Sequence, residues 1–258
     1  MGKISAIILD WAGTAVDYGC FAPVDAFLSA FAAFGLSPTL EETRAPMGLQ
    51  KRAHIEKMLA GDRLGAQWEA LYGRPPARED VDRIYARFEP ALFEALPAHA
   101  EPLPGALEAV AEARAMGIAI GSTTGYTRAM MDVLAPLAKQ KGYAPDCLVC
   151  PEETRGLGRP YPYMLWRNLE TLGVASIGTV LKVGDTAADM EEGKNAGCLC
   201  VGVLKGSSMA GLSQEELQAL GEGARQALFR QARQNYFAAG ADYVIEEIAQ
   251  LPALLQQI

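Results

Sequence analysis

From Pro104 to the C-terminus, short apolar runs alternate with helical segments, and that alternation leaves few folds open to the chain. LEAVAEARAM has helical spacing and stops at Gly117, after which IAIGS reads as a short buried run. TRAMMDVLAPLAKQ is helical again, followed by DCLVC, the helical YMLWRNLETLG, TVLKVG, ADMEEGKNAG and LCVGVL. Short continuous apolar runs mark strands buried on both faces, so the pattern predicts an α/β fold: a Rossmann-like parallel sheet covered by helices on both sides. SAIILD near the N-terminus supplies its first strand. The stretch from Cys20 to Ala98 does not share the pattern, because VDAFLSAFAAFG, MGLQKRAHIEKMLA, AQWEALYG and REDVDRIYARFEPALFEAL are all helical. The expected organisation is a discontinuous core domain, residues 1–19 and 99–258, with a small α-helical cap over residues 20–98 inserted after the first strand. PAHAEPLPG is the return linker, and beyond Ser213 the chain predicts two helices, a short strand around Tyr243–Ile245 and a last helix.

A chain of 258 residues with 50% hydrophobic content can bury a large core. Its net charge of −8 argues against a nucleic-acid or anionic-membrane surface, so any phosphate site must be local. The N-terminal apolar run is too short for a secretory leader, and no stretch approaches the ~18 apolar residues of a membrane span. The expectation is a soluble cytoplasmic protein with neither a nucleic-acid nor a membrane partner. Cys147/Cys150 and Cys198/Cys200 have spacings that could suggest zinc, but both pairs lie in apolar runs where cysteine acts as a small hydrophobe.

Ligands of a doubly wound sheet sit beyond the C-terminal ends of its strands. Four loops leave those ends with polar content: DWAGT, STTGYT, RGLGRPYP and GDTAADM. Asp10 and Asp185 each end a strand, so their carboxylates could together hold a hard divalent cation, although each could equally cap a turn. Arg159 could supply a fixed cation or be a solvated loop residue. In PMGLQKRAHIEKM, helical spacing would place Met47, Lys51 and His54 on one face, where a lysine could acquire a lowered pKa and form an imine, or simply be solvated. Trp11 reads as packing, and His99 as surface.

DWAGT, a strand ending in Ser/Thr, a basic residue and GDTAADM, in this order, resemble the haloacid dehalogenase superfamily. The resemblance implies Asp10 as a nucleophile toward phosphorus, Thr124 or its neighbours Ser122 and Thr123 as phosphoryl ligands, and Arg159 where many members place a lysine. It implies Mg²⁺ held by Asp10, Asp185 and the Ala12 carbonyl, with Asp189 supporting that shell. Phosphatases of the superfamily usually carry a second acid two residues after the nucleophile as a general acid. Here that residue is Ala12.

Ala12 and Lys51, with DWAGTAVDYGCFAP, PMGLQK, His54, GSTTGYTR and GRPYP, resemble the phosphonatase branch of that superfamily. The implied reaction is hydrolysis of the C–P bond of phosphonoacetaldehyde through a Lys51 Schiff base and an Asp10 aspartyl phosphate. A carbon leaving group needs no acid at position 12. Met47, Cys20, His54, Gly125 and Tyr126 would line the substrate pocket, and a homodimer through the cap is implied. The alternatives are a phosphate-ester phosphatase or phosphomutase of the same superfamily, and a phosphate-binding protein without turnover.

Overall fold

A computed structural model describes residues 3–258. The chain runs β1 (Ala6–Leu9), α1 (Phe21–Ala32), α2 (Leu40–Arg44), α3 (Lys51–Leu59), α4 (Asp62–Tyr72) and α5 (Arg78–Ala95). It continues through α6 (Ala106–Ala115), β2 (Ala119–Thr123), α7 (Arg128–Gln140), β3 (Cys147–Val149), α8 (Tyr163–Leu172), β4 (Val180–Gly184), α9 (Ala187–Ala196) and β5 (Leu199–Val203). It ends with α10 (Gln214–Ala219), α11 (Glu222–Ala238), β6 (Tyr243–Ile245) and α12 (Leu251–Leu255). The strands form one parallel sheet in the order β3-β2-β1-β4-β5-β6. That order reverses direction between β1 and β4, which opens a crevice beyond their C-terminal ends.

Side chains alternate across the sheet, so each strand feeds two cores. Ile7, Leu9, Ile120, Leu181 and Val183 join residues of α6, α7 and α12 on one face. Ala6, Ile8 and Val180 meet Leu165 of α8 and Ala196 of α9 on the other. Lys182 is aligned with Ile8, so its fully buried side chain enters the α8/α9 side of the sheet. Leu9 is level with Ser122 and Val183, which brings Asp10, the residues after β2 and Asp185 to the same edge. No helix among the described residues is long and apolar enough to cross a membrane. All five cysteines are buried free thiols.

The segment between β1 and β2 contains α1 to α6 and no strand. Within it, Phe27 of α1 stacks on Phe88 of α5 at 4.2 Å and on the His54 ring at 3.9 Å. Burying side chains of this size stabilises by about 1.5–3 kcal/mol each. One expectation fails here: Met47 and Lys51 do not share a helix. Met47 lies in a turn, and α3 begins only at Lys51. The left-handed backbone of Gly48, at φ 89°, and the extended Gln50 keep the helix from starting earlier.

The two linkers of this helical insert run side by side. Asp17 N–H donates to Glu101 O at 3.2 Å, and Leu103 N–H to Ala15 O at 2.9 Å. The Asp17 carboxylate accepts the first backbone N–H groups of α1, from Phe21 and Ala22, and lies 2.7 Å from Nδ1 of His99. His99 is therefore not the free surface residue expected; it is partly buried and cross-links the linkers. Its hydrogen bond to Asp17 raises its pKa above the ordinary 6.5. A raised folded pKa gives stability that is complete below the unfolded value and is lost as pH rises through the folded one. The difference in unfolding midpoint between wild type and His99→Gln should be largest at acid pH and shrink as pH rises through the raised pKa of His99; a pH-independent difference would remove the charge from this account.

Candidate active site

The polar loops converge on a small cleft at the crevice, walled on one side by the sheet edge and on the other by the helical insert. Larger grooves lie elsewhere on the surface, but this one has convergent charged groups. Asp10 and Ala12 reach it from the turn after β1, and Thr124, Gly125 and Tyr126 from the loop after β2. Arg159 comes from the loop before α8, while Cys20, Met47 and Lys51 come from the insert. Gly48 and Thr186, not foreseen from sequence, complete the lining.

The three hydroxyls after Gly121 take different directions. Ser122 donates to Cys147 O at 3.2 Å, toward β3. Thr123 donates to Glu192 at 3.0 Å, within the core. Thr124 alone of the three lines the cleft, where its Oγ accepts the Tyr126 N–H at 3.1 Å.

Arg159 is buried, contrary to the solvated alternative. Its Nη2 donates to Asp10 Oδ1 at 2.7 Å and to both Thr123 oxygens at 3.0 Å, and pairs with Asp189 Oδ1 at 3.0 Å. Its Nε donates to Glu192 at 3.1 Å. Lys182, fully buried in β4, pairs with Asp189 at 2.9 Å and Glu192 at 3.3 Å, and donates to Thr123 Oγ at 2.8 Å. Lys182 and Glu192 were not singled out from sequence; the available signal was one lysine interrupting the apolar VLKVG run.

Lys51 is buried at the first position of α3, with Nζ 4.5 Å from the centre of the Tyr126 ring. Burial lowers its pKa; Cys20 and Asp10 oppose the shift, and Arg159 adds to it. His54 does not line the cleft. Its ring is fully buried against Phe27, and Nε2 lies 2.8 Å from Thr43 O. Burial holds its pKa well below 6.5, so the imidazole is neutral.

Oxygens of Asp10, Asp185 and Asp189 lie within 4.8 Å of one another. Asp185 accepts the Thr14 hydroxyl at 3.3 Å and the Ser208 N–H at 2.7 Å, but pairs with no cationic side chain among the described residues. Burial, reinforced by Asp10 and Asp189, pushes its carboxyl well above the usual range. An oxygen-only cluster with excess negative charge suits a hard cation such as Mg²⁺. Asp189 is buried too, but Arg159 and Lys182 outweigh that burial and hold its carboxyl below the usual range. It also accepts the Thr186 hydroxyl at 2.5 Å. Its oxygens are engaged by the protein, so it fits a supporting position better than a direct one.

Residues 4–197 match the haloacid dehalogenase-like hydrolase family, and residues 156–251 match a second, related hydrolase-like family. The phosphonoacetaldehyde hydrolase of Bacillus cytotoxicus is 45% identical over 256 residues, covering 99% of this chain and 97% of the relative. The bifunctional phosphonoacetaldehyde hydrolase/aminoethylphosphonate transaminase of Clostridioides difficile is 46% identical over 99% of this chain, but the chain spans only 40% of that protein. The solved phosphonoacetaldehyde hydrolase-like protein from Oleispira antarctica superposes with a TM-score of 0.94 at 36% identity, covering 99% of this chain and 92% of the other. A hydrolase from Pseudomonas syringae shares the fold, with a TM-score of 0.70 at 18% identity over 98% and 99% of the two chains.

Because Asp185 lacks a cationic partner among the described residues, a divalent cation should stabilise the fold. At a hundredfold excess over its dissociation constant, the gain should be about 2.7 kcal/mol. Thermal unfolding with Mg²⁺ against EDTA should show a shift in wild type that is lost in Asp185→Asn. Equal shifts in both proteins would move the cation to another site.

Proposed function

The chain belongs to the haloacid dehalogenase-like hydrolases and, within them, to the phosphonoacetaldehyde hydrolases, and from that membership we propose that it hydrolyses phosphonoacetaldehyde to acetaldehyde and phosphate. The observation that carries the reading is the pairing of Ala12 beside Asp10 with a buried lysine, Lys51, in one small cleft. A phosphatase needs a proton for its leaving oxygen. A C–P hydrolase needs a place for the carbon's electron pair.

In the proposed reaction, neutral Lys51 adds to the aldehyde and loses water to give an imine, which is protonated. Asp10 attacks phosphorus, and the C–P bond breaks with its electron pair passing into the iminium to leave an enamine. Water hydrolyses the aspartyl phosphate, regenerating Asp10. The enamine takes a proton on carbon, and hydrolysis of the iminium releases acetaldehyde and Lys51. Arg159 and Thr124 hold the phosphonate oxygens, and Arg159 offsets the charge on Asp10. Asp10, Asp185 and the Ala12 carbonyl would hold Mg²⁺, with Asp189 behind them, and the ion would supply positive charge against anion–anion repulsion. Tyr126 walls Lys51 and excludes water from it. Cys20 and Met47 shape the apolar side of the cleft, and Gly125 lets the insert approach: a Cβ there would lie 2.6 Å from Leu49 O. His54 supports Lys51 from within the insert's core and makes no contact with substrate.

We assign residues 20–98 as a cap that closes over residues 1–19 and 99–258, since Lys51 and Asp10 lie on opposite walls of the cleft. Pairing of two chains through the cap is consistent with the exposed Leu40, Leu71 and Tyr72. A reducing, cytoplasmic setting is consistent with five free thiols.

Borohydride reduction during turnover should place an adduct on Lys51. Lys51→Arg should lose both the adduct and turnover while keeping its fold, because a guanidinium cannot form the imine. Since attack needs the neutral amine and burial lowers its pKa, trapping should rise with pH along a limb centred below the ordinary lysine value of about 10.4. Absence of an adduct combined with hydrolysis of phosphate esters would favour an ester phosphatase instead.

A further inference from the structure

Arg159 lies on a loop with no regular structure of its own, between the turn at Pro151–Thr154 and α8, yet its guanidinium must stay aimed at Asp10. Every side chain that holds it, apart from Asp10, also holds Lys182. Glu192 Oε2 accepts from Arg159 Nε at 3.1 Å and pairs with Lys182 at 3.3 Å. Asp189 Oδ1 pairs with them at 3.0 and 2.9 Å, and Thr123 Oγ accepts from them at 3.0 and 2.8 Å. Neither Lys182 nor Glu192 lines the cleft. Space for the lysine stem is provided by Gly193, where a Cβ would lie 3.1 Å from Lys182 Cβ.

We propose that Lys182 and Glu192 are positioning residues that set the aim of Arg159. Glu192 fixes the guanidinium at Nε. Lys182 partly satisfies Asp189 and Glu192, so these carboxylates do not draw Nη2 off Asp10 and into the core. Without Glu192 the guanidinium loses its anchor; without Lys182 two buried carboxylates compete for the one remaining cation. Both losses turn Arg159 away from the phosphonate site while leaving Lys51, on the opposite wall, as it was.

This inference rests on the phosphonate reading above, and its test separates the two. Glu192→Gln keeps the side-chain shape, and Lys182→Met keeps the stem. In each, kcat with phosphonoacetaldehyde should fall about 10- to 100-fold, as is typical when a supporting partner of a site is removed. Inhibition by inorganic phosphate should weaken in parallel. Borohydride trapping of acetaldehyde on Lys51, compared on each protein's high-pH plateau because Arg159 contributes to the lowered Lys51 pKa, should keep its wild-type yield, a result that general damage to the site would not give. Wild-type kcat and phosphate inhibition in Glu192→Gln would overturn the proposal, as would loss of the Lys51 adduct together with kcat. If Lys182→Met does not fold, Glu192→Gln decides. If wild type itself gives no adduct, the aldehyde reading falls, and phosphate inhibition alone still decides whether Glu192 and Lys182 aim Arg159.

Discussion

Burying several ionised side chains beneath a catalytic edge is the constraint around which this molecule is arranged. Isolated charges in a protein interior are prohibitively costly, and they persist only when paired and hydrogen-bonded. Here Arg159 and Lys182 face Asp10, Asp189 and Glu192 through contacts of 2.7–3.3 Å. These groups come from the turn after β1, the loop before α8, strand β4 and helix α9, and Thr123 of β2 joins them. Separate parts of the fold are thereby fixed relative to one another. With the carboxylates of this cluster and Asp185 all ionised, the negative charge exceeds the positive, which is the electrostatic condition that favours a divalent cation.

The same arrangement divides the work between two bodies of the chain. The sheet edge brings Asp10, Thr124 and Arg159 to the cleft, while the helical insert presents an amine whose burial lowers its pKa. That shift comes mainly from loss of water, with the neighbouring Arg159 a smaller cause.

Much of the fold could be read from the sequence because buried parallel strands are continuous apolar runs, and the loops at their ends carry residues with little other reason to be there. Asp10, Asp185, Thr124 and Arg159 were visible in that way, and all lie at the expected edge. Met47 and Lys51 do not share the helical face expected for them with His54, because the left-handed Gly48 and the extended Gln50 delay the helix to Lys51. His54 then turns into an aromatic stack. Lys182 and Glu192 escaped notice because their partners are distant in sequence, and a single charge in a strand or helix gives no sign of what it meets. His99 looked like a polar linker residue for the same reason, its partner Asp17 lying 82 positions away.

The neighbouring course of the two linkers has a topological consequence. Val16 bridges Pro102, so the chain enters and leaves the helical insert at nearly one point. Everything between forms a closed excursion, and no strand order or register depends on it. The parallel core is complete as a path without the excursion, and the excursion is complete as a helical bundle with adjacent ends. An architecture of this kind can exchange one cover for another, and with it one substrate for another, while the anion-handling edge beneath stays the same.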